Sequence, residues 1–191
     1  MTFLGTVHGE DGLTRCAWAV STPDYVAYHD EEWGRPVRGD RLLYERMTLE
    51  AFQSGLSWIT ILRKREAFRR AFAAFDPSVV ASFGDADVDR LLGDAGIVRN
   101  RAKIEAAIAN AGRVVELDGG LTDLLWSFAP PPRPAPQTLA DVPAVTAEST
   151  AMAKELRRRG FRFVGPTTAY ALMQATGMVD DHLATCYRRS G

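Results

Sequence analysis

The chain has 191 residues, 46% hydrophobic and 25% charged, the balance of an ordinary soluble globular protein. Its 23 basic and 24 acidic residues leave a net charge of −1, which excludes nucleic-acid binding by bulk charge and leaves only a local patch to do it. With no apolar run of about 18 residues, no secretory leader and only two cysteines, the expectation is a cytoplasmic protein without membrane contact or a disulfide framework.

Residues 1–14 are polar and contain glycine, and they read as a flexible tail. Residues 15–191 read as one domain, long enough to bury about two thirds of the unfolded surface. Tyr25-Val26-Ala27-Tyr28-His29-Asp30-Glu31-Glu32-Trp33-Gly34 places three aromatic rings and an imidazole within one short stretch. Asp40 is a cap for a helix from Arg41, where Leu42, Leu43, Met47, Leu49 and Phe52 recur at helical spacing. Gly55 bends or ends that helix, since an interior glycine costs about 1 kcal/mol relative to alanine. Ile59, Leu62, Phe68 and Phe72 continue the stripe. Asp76-Pro77 opens the next helix, with proline in its first turn. Leu91, Leu92, Ile97, Ile104, Ile108 and Val115 mark two helices joined near Gly96, and Gly119-Gly120 breaks the pattern.

The proline-rich stretch 130–136 reads as a stiff surface loop. Ser149 or Thr150 starts a helix that ends at Gly160, with Arg157, Arg158 and Arg159 in its last turn, where cations suit the helix dipole. Pro166 begins another helix, which stops at Gly177, and Asp180 or Asp181 caps a final one. Strand alternation is almost absent; Phe161-Arg162-Phe163-Val164 is the best short candidate. The expected fold class is all-α.

Three constellations carry chemistry. Cys16 and His29 are one pair; His182 and Cys186 are another, at i and i+4 on one face of the expected final helix. Two cysteines and two histidines make the closed tetrahedral set of a structural zinc. Such a site would join the chain's two ends, a constraint worth about 4–5 kcal/mol in the chain-entropy account. The alternative is two buried thiols and ordinary polar histidines. Second, residues 89–104 read as helix, glycine hairpin, helix. Gly96 would let backbone approach a ligand, Asn100 would cap the second helix, and Arg99, Arg101 and Lys103 would add charge, together a phosphate site. The alternative is a helical corner with a solvated basic face, and Lys64, Arg65 and Arg157 to Arg159 read as solvated faces. Third, a bend at Gly55 would bring Glu50 and Trp58 to the walls of one cavity. A buried carboxylate there needs a partner or a task. The alternative is a surface glutamate beside a core tryptophan.

Arg15-Cys16-Ala17-Trp18, the stretch from Tyr25 to Gly34, Leu49-Glu50 with Gly55-Leu56-Ser57-Trp58, and Gly160-Phe161-Arg162-Phe163-Val164-Gly165 through Asp181-His182 together resemble the 3-methyladenine DNA glycosylase I family. The likeness runs from about residue 15 to 187, in several separate motifs in the right order. It implies a helix-hairpin-helix glycosylase fold, with the hairpin near 85–116. It also implies one structural zinc on Cys16, His29, His182 and Cys186, in a lobe built from 15–34 and 160–187. The family's pocket glutamate falls on Glu50, its stacking tryptophan on Trp58 and its pocket tyrosines on Tyr25 and Tyr28; Trp18 and Trp33 also match. Ala17 stands where glycine is expected, Asp180 where asparagine is common, and the N-terminal tail is longer than usual.

The resemblance implies a monomer that flips 3-methyladenine out of double-stranded alkylated DNA and hydrolyses its N-glycosidic bond. The family has no catalytic aspartate at the position of Asp118, so Asp118 takes no role. No lysine stands at a nucleophile position, so no strand-cleaving lyase step is expected. The competing readings are a non-catalytic reader of methylated DNA, a small-molecule nucleosidase, and a glycosylase with broader alkylpurine range.

Overall fold

A computed structural model describes residues 5–189; residues 1–4 of the expected tail lie outside the described residues. The chain is mostly helical. A short antiparallel ribbon comes first, β1 Thr6–His8 with β2 Thr14–Cys16, pairing Thr6 with Cys16. Residues 6–14 are therefore tied into structure where the sequence suggested a loose tail. Gly12, at φ +78°, serves the tight return between the two strands.

The helices follow in chain order: α1 Pro23–Glu31, α2 Asp40–Gln53, α3 Trp58–Ala71, α4 Pro77–Ala81 and α5 Asp85–Gly93. Then come α6 Arg101–Val115, α7 Gly120–Trp126, α8 Ala147–Arg158 and α9 Pro166–Ala175. Local chemistry sets most of these boundaries. The Asp76 carboxylate accepts from the Ser78 and Val79 N–H groups ahead of α4. Asp40 is the first residue of α2 rather than its cap, and its carboxylate accepts from Thr122 N–H and Oγ1, tying α2 to α7. Gly55, at φ +81°, separates α2 from α3.

The main core gathers around α2, α3 and α6. Phe52, Phe68, Phe72 and Phe75 form an aromatic run with ring centroids 4.7, 6.1 and 5.7 Å apart along it. Tyr44 is also fully buried, and its hydroxyl donates to Ala107 O at 2.9 Å. Each buried phenylalanine contributes about 1.5–3 kcal/mol over an exposed one. A smaller core holds Cys16, Leu183 and Cys186, with Trp18, Leu139 and Val142 packed on it.

Two expectations are overturned. Residues 161–164 form no strand: Phe161 and Val164 are buried, while Phe163 is exposed at φ +55°. Nor is there a final helix after Asp180; residues 180–189 run through turns. Long-range partners take the backbone groups that a helix would need. Leu183 N–H donates to Cys16 Sγ, Ala184 N–H to Pro136 O and Tyr187 N–H to Thr14 O. Gly177 positions this segment at φ +69°, where a Cβ would lie 2.5 Å from the Arg35 carbonyl carbon.

Candidate active site and metal cluster

Pro23 and the Thr22 cap start α1, with Thr22 Oγ1 accepting from Tyr25 N–H. The helix then carries Tyr25, Tyr28 and His29 on one face, at i, i+3 and i+4. Tyr25 reaches α3, where its hydroxyl oxygen accepts the Ile59 N–H at 3.1 Å. The Tyr28 and Trp58 rings lie 5.4 Å apart, tilted by 46°. On α2, Glu50 and Gln53 share a face one turn apart. These side chains wall a cavity of about 350 Å3, completed by Trp18, Trp33, Leu139, Val142, Ala171, Gln174 and Asp181. That is the lower end of the range for small-molecule sites, about 300–1,000 Å3.

The cavity brings together all four pocket residues expected from sequence: Tyr25, Tyr28, Glu50 and Trp58. Glu50 is 6% exposed and makes no hydrogen bond within the protein among the described residues. Burial pushes its pKa up to about 8, with Arg46 pulling the other way. Burial, and then the Glu50 charge, push the Tyr28 phenol well above the usual range, so it stays neutral. The Trp58 Nε1 is buried without a hydrogen-bond partner.

Sequence reasoning missed Gln53, Gln174, Asp181, Leu139, Val142 and Ala171. Gln53 was within reach, because it stands one turn beyond Glu50. The others come from segments whose approach to α2 has no local signal. Asp181 is fully enclosed: Tyr170 Oη donates to it at 2.6 Å, Gln174 Nε2 at 2.8 Å, and Arg133 closes an ion pair on it. Asp181 caps no helix. Arg133 belongs to the proline-rich stretch, which runs over the surface as expected, with Pro131, Pro132 and Pro134 exposed, while its Arg133 side chain reaches in to Asp181.

Next to the cavity, Cys16, His29 and Cys186 bring their ligand atoms within 4.8 Å of one another, all buried. Cys186 Sγ and His29 Nε2 are 3.4 Å apart. The neighbouring Cys16 thiol, and then His29, pull the Cys186 pKa down from the usual thiol range. His182, the fourth expected ligand, is not within that set, though its ring centroid is 5.0 Å from that of His29. Each imidazole is oriented through Nδ1 by a carboxylate: His29 by Asp30 at 2.8 Å, His182 by Asp180 at 2.8 Å. The His29 Nε2 faces Cys186 Sγ, whereas His182 Nε2 is buried without a partner. Arg15 in turn grips Asp30 through Nε and Nη2. Gly34 allows the close approach of His182; a Cβ there would lie 2.6 Å from His182 Cε1. Trp18 and Trp33 stand edge to face at 5.0 Å, between cavity and cluster, and Trp33 meets the His182 ring at 4.7 Å.

The expected DNA-contact residues are less uniform. Arg99 is exposed, and Arg101 is exposed but paired with Asp89 and Glu105. Gly96 N–H donates to Asp94 Oδ1 at 2.7 Å. Lys103 turns inward: its Nζ donates to Phe52 O and Ser54 O, closing the C-terminal end of α2. It therefore satisfies helix-end carbonyls and does not face solvent, a correction to its expected place in the basic patch. Arg65 is likewise no solvated side chain, being bidentate to Glu32. A second corner, between α8 and α9, has Gly160 at φ +86° and an α9 start without side-chain cap or acidic residue.

Comparison with known proteins agrees with this arrangement. The family model described as methyladenine glycosylase matches residues 18–189. The chain is 45% identical over 179 residues to DNA-3-methyladenine glycosylase 1 of Escherichia coli, covering 91% of this chain and 96% of that one. It is 43% identical to DNA-3-methyladenine glycosylase of Haemophilus influenzae, with the same coverage. A crystal structure of 3-methyladenine DNA glycosylase I superposes with a TM-score of 0.89 at 44% identity, over 92% of this chain and 100% of that chain. The Staphylococcus aureus structure described as the basis of 3-methyladenine recognition superposes at 0.88 with 34% identity, over 93% and 97% of the two chains.

Proposed function

This chain belongs to the methyladenine glycosylase family, and on that premise we propose that its cavity takes up a 3-methyladenine flipped out of duplex DNA. The reaction is hydrolysis of the N-glycosidic bond of 3-methyladenine in alkylated DNA, an excision-repair step. A base inside a duplex is out of reach, so extrusion must come first. N3-methylation with the glycosidic bond intact makes the ring cationic, and cleavage lets it leave neutral. The leaving group is thus activated before it meets the protein, whose main work is recognition.

Glu50 is the acidic group of that recognition. In the empty cavity it holds a proton readily; an entering cation favours its carboxylate, which then accepts hydrogen bonds from the base. Trp58 and Tyr28 offer faces to a positively charged ring, and Tyr25 fixes the wall between α1 and α3. No lysine lines the cavity among the described residues, which supports hydrolysis without a lyase step. Gly96, Arg99 and Arg101, on the hairpin of a helix-hairpin-helix element, meet the DNA backbone in this reading. The uncapped start of α9 is a second place for a phosphate.

We also infer one structural zinc ion on Cys16, His29, His182 and Cys186. The donor set suits it, and a sulfur–nitrogen separation of 3.4 Å matches the edge of a zinc tetrahedron, about 3.5 Å from the usual bond lengths. The unpartnered His182 Nε2 supplies the fourth donor, and the Asp30 and Asp180 contacts fix both imidazoles as zinc sites require. The ion would hold the chain ends beside the cavity and take no part in the reaction. Metal analysis of purified protein should find one zinc per chain; protein that is folded, active and zinc-free would refute this assignment.

The observation that carries the functional reading is a buried carboxyl, unbonded, facing a cavity with aromatic walls. Incubation with methylated DNA should release 3-methyladenine as the main base. Equal release of 7-methylguanine would favour the broader enzyme, and DNA binding without release would favour the non-catalytic reader.

A further inference from the structure

Three helices carry the cavity's working walls, and one buried ion cluster ties them together. Just beyond α1, Glu32 accepts from Arg65 of α3 at 2.6 and 2.7 Å and from Arg46 Nη2 of α2 at 2.6 Å. The Arg46 and Arg65 side chains are only 13% and 16% exposed. Two guanidiniums against one carboxylate leave surplus positive charge beside the cavity. Arg46 also stands four residues before Glu50, one turn away on the same helix face. Its second terminal nitrogen, Nη1, is buried with no hydrogen-bond partner. A buried charged donor without an acceptor is costly, and the carboxyl one turn on is within reach of a long side chain.

We propose that Arg46 is a positioning residue for the reaction: anchored to Glu32 through one nitrogen, it offers the other to Glu50, orienting that carboxyl and favouring its ionised form for a cationic base. This rests on the base-binding reading of the cavity. An ionised Glu50 cancels the cluster's surplus charge, whereas a protonated one leaves it. Arg46 is the one cation that draws the Glu50 pKa down against burial. The other groups around Glu50 do not replace it. Tyr28 of α1 is a neutral phenol. Arg65 of α3 acts through Glu32, whose pKa the two guanidiniums hold down to about 2 against the effect of its burial. Across the cavity, the Asp181 carboxylate is taken up by Arg133, Tyr170 and Gln174.

The test uses Arg46→Met and Arg46→Lys in the full chain, each with Glu50 and with Glu50→Gln. The first readout needs no ligand: NMR of isotope-labelled glutamate follows the Glu50 carboxyl, identified by its loss in Glu50→Gln. The second is single-turnover release of 3-methyladenine from methylated DNA across pH. The intact glycosidic bond fixes the charge of the lesion, so pH acts on the protein. Arg46→Met should raise the Glu50 midpoint by about one pH unit, slow release about tenfold near neutral pH, and approach the parent rate about two units higher. Arg46→Lys should restore most of both, and in the Glu50→Gln background Arg46→Met should change little. An unmoved Glu50 midpoint would overturn the proposal. So would a rate loss equal at every pH and still present with Glu50→Gln. A parent protein that releases no base while the midpoint shifts as expected would refute the glycosylase reading and leave the Arg46–Glu50 coupling supported.

Discussion

Two buried carboxyls face the same cavity and have opposite surroundings. Asp181, on the floor, is 2% exposed and receives Tyr170, Gln174 and Arg133. Glu50, on the α2 wall, is 6% exposed and receives no hydrogen bond among the described residues. Burial alone therefore does not mark a functional acid. A carboxylate whose lone pairs are occupied braces a structure; one left unsatisfied is held in readiness for a ligand. The C-terminal brace lets the site tolerate the unsatisfied group, because the two segments that meet there are locked to each other.

The largest effect should come from breaking the satisfied side. Asp181→Ala would leave Arg133, Tyr170 and Gln174 without their shared acceptor, at a cost of about 3 kcal/mol. The thermal midpoint should fall by about 10 °C for a chain of this size. A melt within about 2 °C of the parent would erase the distinction between the two acids.

Glu50→Gln should do the reverse. Release of 3-methyladenine should fall about a hundredfold, the scale of losing one well-placed polar group in a dry site, while the melt holds or rises. The pH dependence of stability sharpens the contrast. The Glu50 pKa rises from 4.5 to about 8 on folding, so the native state binds more protons between those values. The protonated group's favourable contribution is present below about 4.5 and is lost as pH climbs toward about 8. Denaturant titrations across that window should show parent stability declining with pH and Glu50→Gln declining less. A slope identical in both proteins would mean Glu50 is solvated in solution.

Gln174→Leu is the smallest cut, removing one of the donors to Asp181. It should cost about 1 kcal/mol and lower the melt by a few degrees, with the pH slope retained because Glu50 is untouched.

What the sequence showed follows the range of each interaction. The start of α4 at Asp76-Pro77, the break at Gly55 and the opening of α9 at Pro166 are set by residues within a turn of each boundary, and all were legible. The helical face shared by Tyr25, Tyr28 and His29 was not read from that aromatic stretch and emerged only with α1. The expected final helix failed because i, i+4 spacing of His182 and Cys186 also fits a turn held by distant partners. The pairing of residues 6–8 was hidden because short strands of three residues carry too little alternation to read. Lys103 sits in a basic run, and only its neighbour α2 reveals that its ammonium closes a helix end.

By itself, the order of residues determined most of the helices and many of their ends, because those depend on steric and capping effects across a few positions. Tertiary structure alone decided that Glu50 goes unsatisfied while Asp181 is saturated, that Arg133 leaves its proline-rich loop to brace the floor, and that Cys16 meets Cys186. Those outcomes depend on desolvation and on segments the fold brings together, such as Arg133 meeting Asp181 across 48 positions, and neither is a property of local sequence.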